Sequence, residues 1–234
     1  MMKQSFCIGA ALLLGAVSLF AQSQNPAPSH AGSLSVSLQG GTALDIFENA
    51  FSYRENGKTL KLFTLQGAAA VGYDFNDSYG IRLQGSYGND AGACNTRQTS
   101  AGGFYPYTFR HVGVFADLLL NLNGLAGKVT AFRPKLYAGV GGAYTFGFSD
   151  PNHPWQGNYM TTKNVVPGFR GGFIAEYDLP SGFGFFADLC GEAYQDKYNG
   201  LMPTDQDREE FTGYPGFPLD LRGMLSFGII WHFQ

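Results

Sequence analysis

From residue 33 onward the chain sets large apolar residues on every second position, in runs too long and too regular for a 3.6-residue period. Val112, Val114, Ala116, Leu118, Leu120 and Leu122 share one parity, while His111, Gly113, Asp117 and Asn121 share the other. The C-terminal run repeats the pattern, with Leu219, Leu221, Leu225, Phe227, Ile229, Trp231 and Phe233 against Asp220, Arg222, Ser226, Gly228 and His232. This alternation predicts β-strands at about 33–44, 60–75, 79–89, 107–122, 133–147, 164–179, 182–197 and 218–234. The connections at 76–78, 123–132 and 180–181 are short, and those at 45–59, 90–106, 148–163 and 198–217 are long. Short and long links alternate. An antiparallel up-and-down transmembrane β-barrel of eight strands has that asymmetry, whereas a sandwich has no reason to sort its loops by end.

Aromatic positions on the apolar parity support the same all-β architecture. Phe75, Tyr79, Tyr177, Phe183, Trp231 and Phe233 fall near the short links, and Tyr87, Tyr144, Phe146 and Phe169 near the long ones. Two rings of aromatics suit the two lipid–water boundaries, because each side chain has an apolar body and a face or tip that tolerates water.

Composition narrows the class further. The 234 residues are 44% hydrophobic, 15% aromatic and 14% charged, with 33 Gly and a formal charge of -3, which excludes a disordered chain. The near-neutral charge and the lack of a basic stripe argue against nucleic acid as partner. Residues 1–21 carry one charge, Lys3, ahead of an apolar run that ends near Ala21, and read as a secretory signal peptide too short to span a bilayer. A periplasmic linker at 22–32 and a barrel at 33–234 follow. Cys94 and Cys190 stand in dissimilar contexts and imply no disulfide, and the sequence offers no Cys or His at metal-ligand spacing, so no metal and no cofactor are expected.

The whole of 33–234 resembles the eight-stranded outer-membrane barrels of Gram-negative bacteria, the OmpA transmembrane-domain and OmpX type. The end of the chain, with Gly228, Trp231 and Phe233 in the order Gly, two residues, aromatic, one residue, aromatic, resembles the signal by which such barrels are taken up by the barrel-assembly machinery, although Gln234 follows the final aromatic. The resemblance implies export to the outer membrane, contact with its lipids and lipopolysaccharide, a monomer, and no peptidoglycan-binding domain.

Eight strands enclose a space that side chains fill. The inward parity supplies a charge network of Arg82, Asp117, Arg170, Glu176, Asp188, Glu192, Asp220 and Arg222, with Gln39, Gln66, Gln84, His111, Cys190 and Tyr194 beside it, so a polar, self-satisfied plug is expected. Gly113, Gly139, Gly141, Gly168, Gly172 and Gly184 leave room for these longer side chains. A tight turn at Pro180-Ser181 sets Arg170 opposite Glu192 and Ile174 opposite Asp188.

No catalytic constellation is visible. The lipid A deacylases among small barrels place His and Ser two residues apart on an outward face, and none of His30, His111, His153 and His232 has that neighbour. The expected function is structural or loop-mediated surface contact, through an extracellular partner at 45–59, 90–106, 148–163 or 198–217. The loop residues of note are Trp155 and Tyr159 in the third long link and Asp205, Asp207, Glu209 and Glu210 in the fourth. A narrow pore or small-ligand binder, and then a lipid A-modifying enzyme, are the alternatives.

Overall fold

In a computed structural model of the chain, the described residues are 29–46, 63–95, 104–149, 163–195, 197–200 and 219–233. They form β1 (Ser33–Ile46), β2 (Phe63–Asp74), β3 (Tyr79–Asn95), β4 (Phe104–Asn121), a one-turn helix α1 (Leu122–Leu125), β5 (Phe132–Phe146), β6 (Lys163–Asp178), β7 (Phe183–Gln195) and β8 (Leu219–Phe233). Each strand pairs antiparallel with its sequence neighbours. β1 pairs with β8 from Leu34↔Phe233 to Ile46↔Leu221, which closes the sheet and leaves no edge.

The alternation expected from the sequence is realised. Leu65 is 75% exposed, Val140 70% and Val165 83%, while Arg222, between outward Leu221 and Gly223, is 2% exposed. An aqueous protein buries its aliphatic residues and exposes its charges; here the order is reversed on every strand, so the solvent of the outer wall is hydrocarbon. Phe75, Tyr79, Phe183, Trp231 and Phe233 at the short-link end, and Tyr87, Tyr144 and Phe169 toward the other, are exposed on that wall. Tyr177 and Phe146 are half-buried, Phe146 stacking on Tyr144 with ring centroids 5.4 Å apart.

Two expectations change. The β3–β4 hairpin runs well past residue 89, to Asn95↔Phe104, so the second long link is shorter than 90–106. Residues 90–95 lack large apolar side chains and resemble a loop in sequence, but Asp90 and Gly92 face the lumen there, and Gly92 leaves the space that the Tyr107 ring occupies. The link at 123–132 is also no plain turn. Asn121 caps α1, its side chain accepting from the Asn123 amide at 3.2 Å and donating to the Asp77 carbonyl at 2.8 Å. The long turn therefore docks on the neighbouring short link of the same chain. At the third short link, Gly182 adopts φ +83°, a left-handed conformation that completes the Leu179–Gly182 turn.

Inside the barrel, small residues on one wall receive large ones from another. A Cβ at Gly228 would lie 2.5 Å from the Phe186 ring, one at Gly172 2.5 Å from the Tyr137 hydroxyl, and one at Gly168 2.6 Å from the Tyr194 ring. At Gly141 a methyl would overlap the Val114 carbonyl and the Phe115 ring. Gly141→Ala is therefore expected to destabilise the folded barrel by about 1–3 kcal/mol. Gly85→Ala, where a methyl meets nothing within 4 Å, should leave the urea midpoint in detergent unchanged. Equal midpoints for the two variants would contradict this packing.

Candidate functional site

The lumen holds three tiers of charged side chains. In the central tier Asp117 of β4 accepts a fork from Arg170 of β6, Nε at 2.8 Å and Nη2 at 2.6 Å, and a third bond from Arg82 Nε at 2.7 Å. Asp188 accepts from Tyr137 Oη at 2.9 Å and from Arg82 Nη1 at 3.4 Å. Two guanidiniums thus face two carboxylates. Their planes also rest on rings, Arg82 4.5 Å above Tyr137 and Arg170 4.6 Å above Phe115. Such fork geometry offsets part of the cost of taking charge out of water. As expected, Arg170 stands opposite Glu192 and Ile174 opposite Asp188, but the Arg170 Nη1–Glu192 Oε1 contact is 3.7 Å, longer than the bonds to Asp117.

Toward the long links, Arg222 is the hub. Its Nε donates to Asp45 at 3.1 Å, Nη1 donates to Glu192 at 3.3 Å, and Nη2 lies 2.9 Å from Asp90 as an ion contact rather than an aligned hydrogen bond. His111, expected as a lumen hydrogen-bonder, is fully buried, with Nδ1 2.6 Å from Asp90 and Nε2 3.3 Å from Arg222 Nη1. Tyr198 also donates to Asp90, at 3.0 Å. Asp220 accepts from the backbone and side-chain amides of Asn199, at 3.1 and 3.0 Å, and so fastens the 197–200 turn. Above this tier Tyr107, Phe109, Phe148 and Tyr198 pack together, Phe109 stacked on Phe148 at 4.8 Å.

At the short-link end Glu176 is held by Lys135 Nζ at 2.8 and 2.9 Å and by Arg133 at 3.3 Å, while Arg133 also donates to Asp74 at 2.9 Å. His30, from the segment before β1, enters this tier. It is buried, and its Nε2 lies 3.0 Å from Asp178 Oδ2. Ser29 Oγ and the His30 amide donate to Asp77 at 2.9 and 3.2 Å. Residues 29–32, expected as the end of a periplasmic linker, thus pack against the barrel.

The plug is less uniformly polar than the sequence suggests. Two clusters of buried hydrophobic residues lie within the barrel, one around Phe115 and Tyr194, the other around Tyr137, Phe186 and Met224. Nor is every group satisfied: Gln66 Oε1, Arg82 Nη2 and Gln84 Oε1 make no hydrogen bond. A cavity of about 20 Å³ beside Ser35, Arg82, Lys135 and Glu176 is the size of a single water. Cys190 is a buried free thiol on the inner wall.

Sequence reading missed Asp45, Asp74, Asp90, Arg133, Lys135, Asp178 and His30 as members of these tiers, and set His232 on the inward parity without assigning it to the charge network. For most of them the signal was present: Arg133 and Lys135 share the parity of Gly139 and Gly141, and Asp45 that of Gln39. Gly228 lies on the inner wall and Trp231 and Phe233 on the outer, with the last two rings stacked at 5.6 Å. His153, Trp155, Tyr159, Asp205, Asp207, Glu209 and Glu210 lie outside the described residues.

No family model matches the chain, and no curated protein matches it. Among solved structures it is similar to Neisserial surface protein A, at 13% identity over 86% of this chain and 97% of that one with a TM-score of 0.46. It is also similar to the Pseudomonas aeruginosa outer membrane protein OprG, at 14% identity over 87% and 97% with a TM-score of 0.48. A major outer membrane protein from Thermus thermophilus is a third, at 16% identity over 86% and 99% with a TM-score of 0.47.

Proposed function

We propose that the chain is a small integral protein of a Gram-negative outer membrane, in which a filled barrel serves as a rigid mount for the long connections at one end. The observation that carries this reading is the central tier. Asp117, Arg82, Arg170 and Asp188 come from four different strands and bond across the lumen axis, with the Tyr137 and Phe115 rings beneath the guanidiniums. Side chains that bond across the axis in this way fill the lumen at that level, as expected for eight strands. Function then falls to the rims and connections, the usual place for specific contact on a rigid scaffold. The role is structural support of the envelope or attachment of a surface partner through the long links, with lipopolysaccharide around the outer rim and the assembly machinery recognising Gly228, Trp231 and Phe233.

The reading includes no enzyme. Among the described residues, His30, His111 and His232 all point into the lumen toward carboxylates rather than onto the lipid-facing wall, away from where an acyl substrate would lie.

Conductance tests the reading. The mature protein in a planar bilayer is expected to pass no steady current, and its overexpression to leave the lipid A acyl pattern unchanged. Deletion is expected to weaken resistance to detergents or to abolish surface binding, and removal of the 201–218 link to reproduce the binding loss alone. Steady ion current that rises in Arg170→Ala would replace this reading with a narrow pore. An altered acyl pattern would replace it with an enzyme.

A further inference from the structure

At the short-link end three potential ligands meet from distant parts of the chain: His30 ahead of β1, Asp178 at the end of β6 and His232 on β8, all buried. Their ligand atoms lie within 4.8 Å of one another. His30 Nε2 is 3.0 Å from Asp178 Oδ2, and His232 Nε2 is 3.5 Å from Asp178 Oδ1. His232 Nε2 is also 3.4 Å from Glu176 Oε1. The imidazole centroids of His30 and His232 are 3.9 Å apart.

Two features separate this cluster from an ordinary buried ion pair. First, His232 Nε2 and Asp178 Oδ1 face one another with no hydrogen-bond partner, although both are buried. Native interiors rarely leave such groups unpaired. Their separation of 3.5 Å is long for a charge-assisted hydrogen bond. It is close to the ligand–ligand edge of about 3.3 Å in a tetrahedral site with metal–nitrogen and metal–oxygen distances near 2.0–2.1 Å. Second, the tier carries surplus negative charge. The buried Asp74, Glu176 and Asp178 stand against Arg133 and Lys135, and half-exposed Asp77 at the rim adds a fourth carboxylate, a balance of -2 with the histidines neutral. One divalent cation cancels it.

We propose that His30, Asp178 and His232 form a binding site for a single divalent transition-metal ion of the zinc class, with Glu176 beside the fourth position. Two imidazoles and a carboxylate suit zinc better than magnesium or calcium, which favour all-oxygen shells. The ion would clasp the segment before β1 to strands β6 and β8, closing the short-link mouth of the barrel beneath the charged tiers. Neither ligand spacing nor motif announces the site, because its members are 148 and 54 residues apart.

The test uses the mature protein folded in detergent micelles, stripped with a chelator and titrated with Zn²⁺ against a chromophoric competitor. Co²⁺ serves as a second probe, whose visible absorption reports four-coordinate geometry. One equivalent of Zn²⁺ per chain is expected. His30→Ala and His232→Gln should each weaken binding at least about tenfold, the usual scale for a perturbed metal shell. His153→Ala should bind as the parent does. Heat-modifiable gel mobility establishes that each variant is folded. His30 precedes β1 and takes part in no strand ladder, so His30→Ala remains informative if His232→Gln fails to fold. Absence of Zn²⁺ binding by the folded parent, as expected if the two imidazoles only hydrogen-bond the carboxylates, overturns the proposal. Undiminished binding by folded His30→Ala overturns it equally.

Discussion

Arg222→Met is expected to destabilise the folded barrel by about 3–5 kcal/mol, the range for removing one partner from a buried ion pair. Arg222 is 2% exposed and sits among the carboxylates of Asp45, Asp90 and Glu192. Methionine fills much of the same space, so the loss is chiefly electrostatic: three acidic groups that shared one guanidinium repel one another in a site largely shut off from water. The measurement is the urea midpoint of the barrel refolded into lipid vesicles, followed by tryptophan fluorescence. Adding Asp90→Asn to Arg222→Met should recover part of the loss, since one uncompensated charge is then removed. Glu192→Gln should do the same. An Arg222→Met midpoint equal to the parent's would mean that the tier is hydrated and the lumen is open at that level, which would also weaken the reading of a filled barrel.

Val140→Arg should lower stability in a bilayer by about 2–4 kcal/mol, and Val165→Arg by about 0–1 kcal/mol, although Val165 is the more exposed of the two. The ordering comes from depth. Val140 adjoins Gly139, which lies between Asp117 and Arg170 in the ladder and so at the level of the central tier. Val165 is near the long-link end of β6. On a water-facing sheet an arginine at either exposed position would change little, so the depth dependence tests whether hydrocarbon surrounds the wall. Equal, negligible effects in vesicles would remove the membrane from this account, along with the structural role built on it.

The architecture was legible because a membrane barrel writes its two solvents into alternate residues. Val112 through Leu122 on one parity, with His111 and Asp117 on the other, already separated outside from inside, and link lengths sorted the two ends. Register was legible between β6 and β7, where a tight turn fixed it and set Arg170 opposite Glu192. It was not legible where a strand continued without large apolar residues, as in β3 beyond Asn89. The helical turn after Asn121 was also hidden, because its docking on Asp77 depends on the adjacent link.

Partnerships inside the lumen lay beyond local reading. Arg170 gives its short bonds to Asp117 rather than to Glu192, its neighbour across the ladder, and Glu176 receives its shortest bonds from Lys135 rather than from Arg133, which stands opposite it. His30 finds Asp178 across 148 residues. The sequence by itself determined which side chains face hydrocarbon and which face inward, because strand alternation needs only the next residue. Only the closed tertiary structure decided which inward charges meet, because that depends on how far each strand is staggered when β8 joins β1, a quantity shared by all eight strands and recorded in none of them alone.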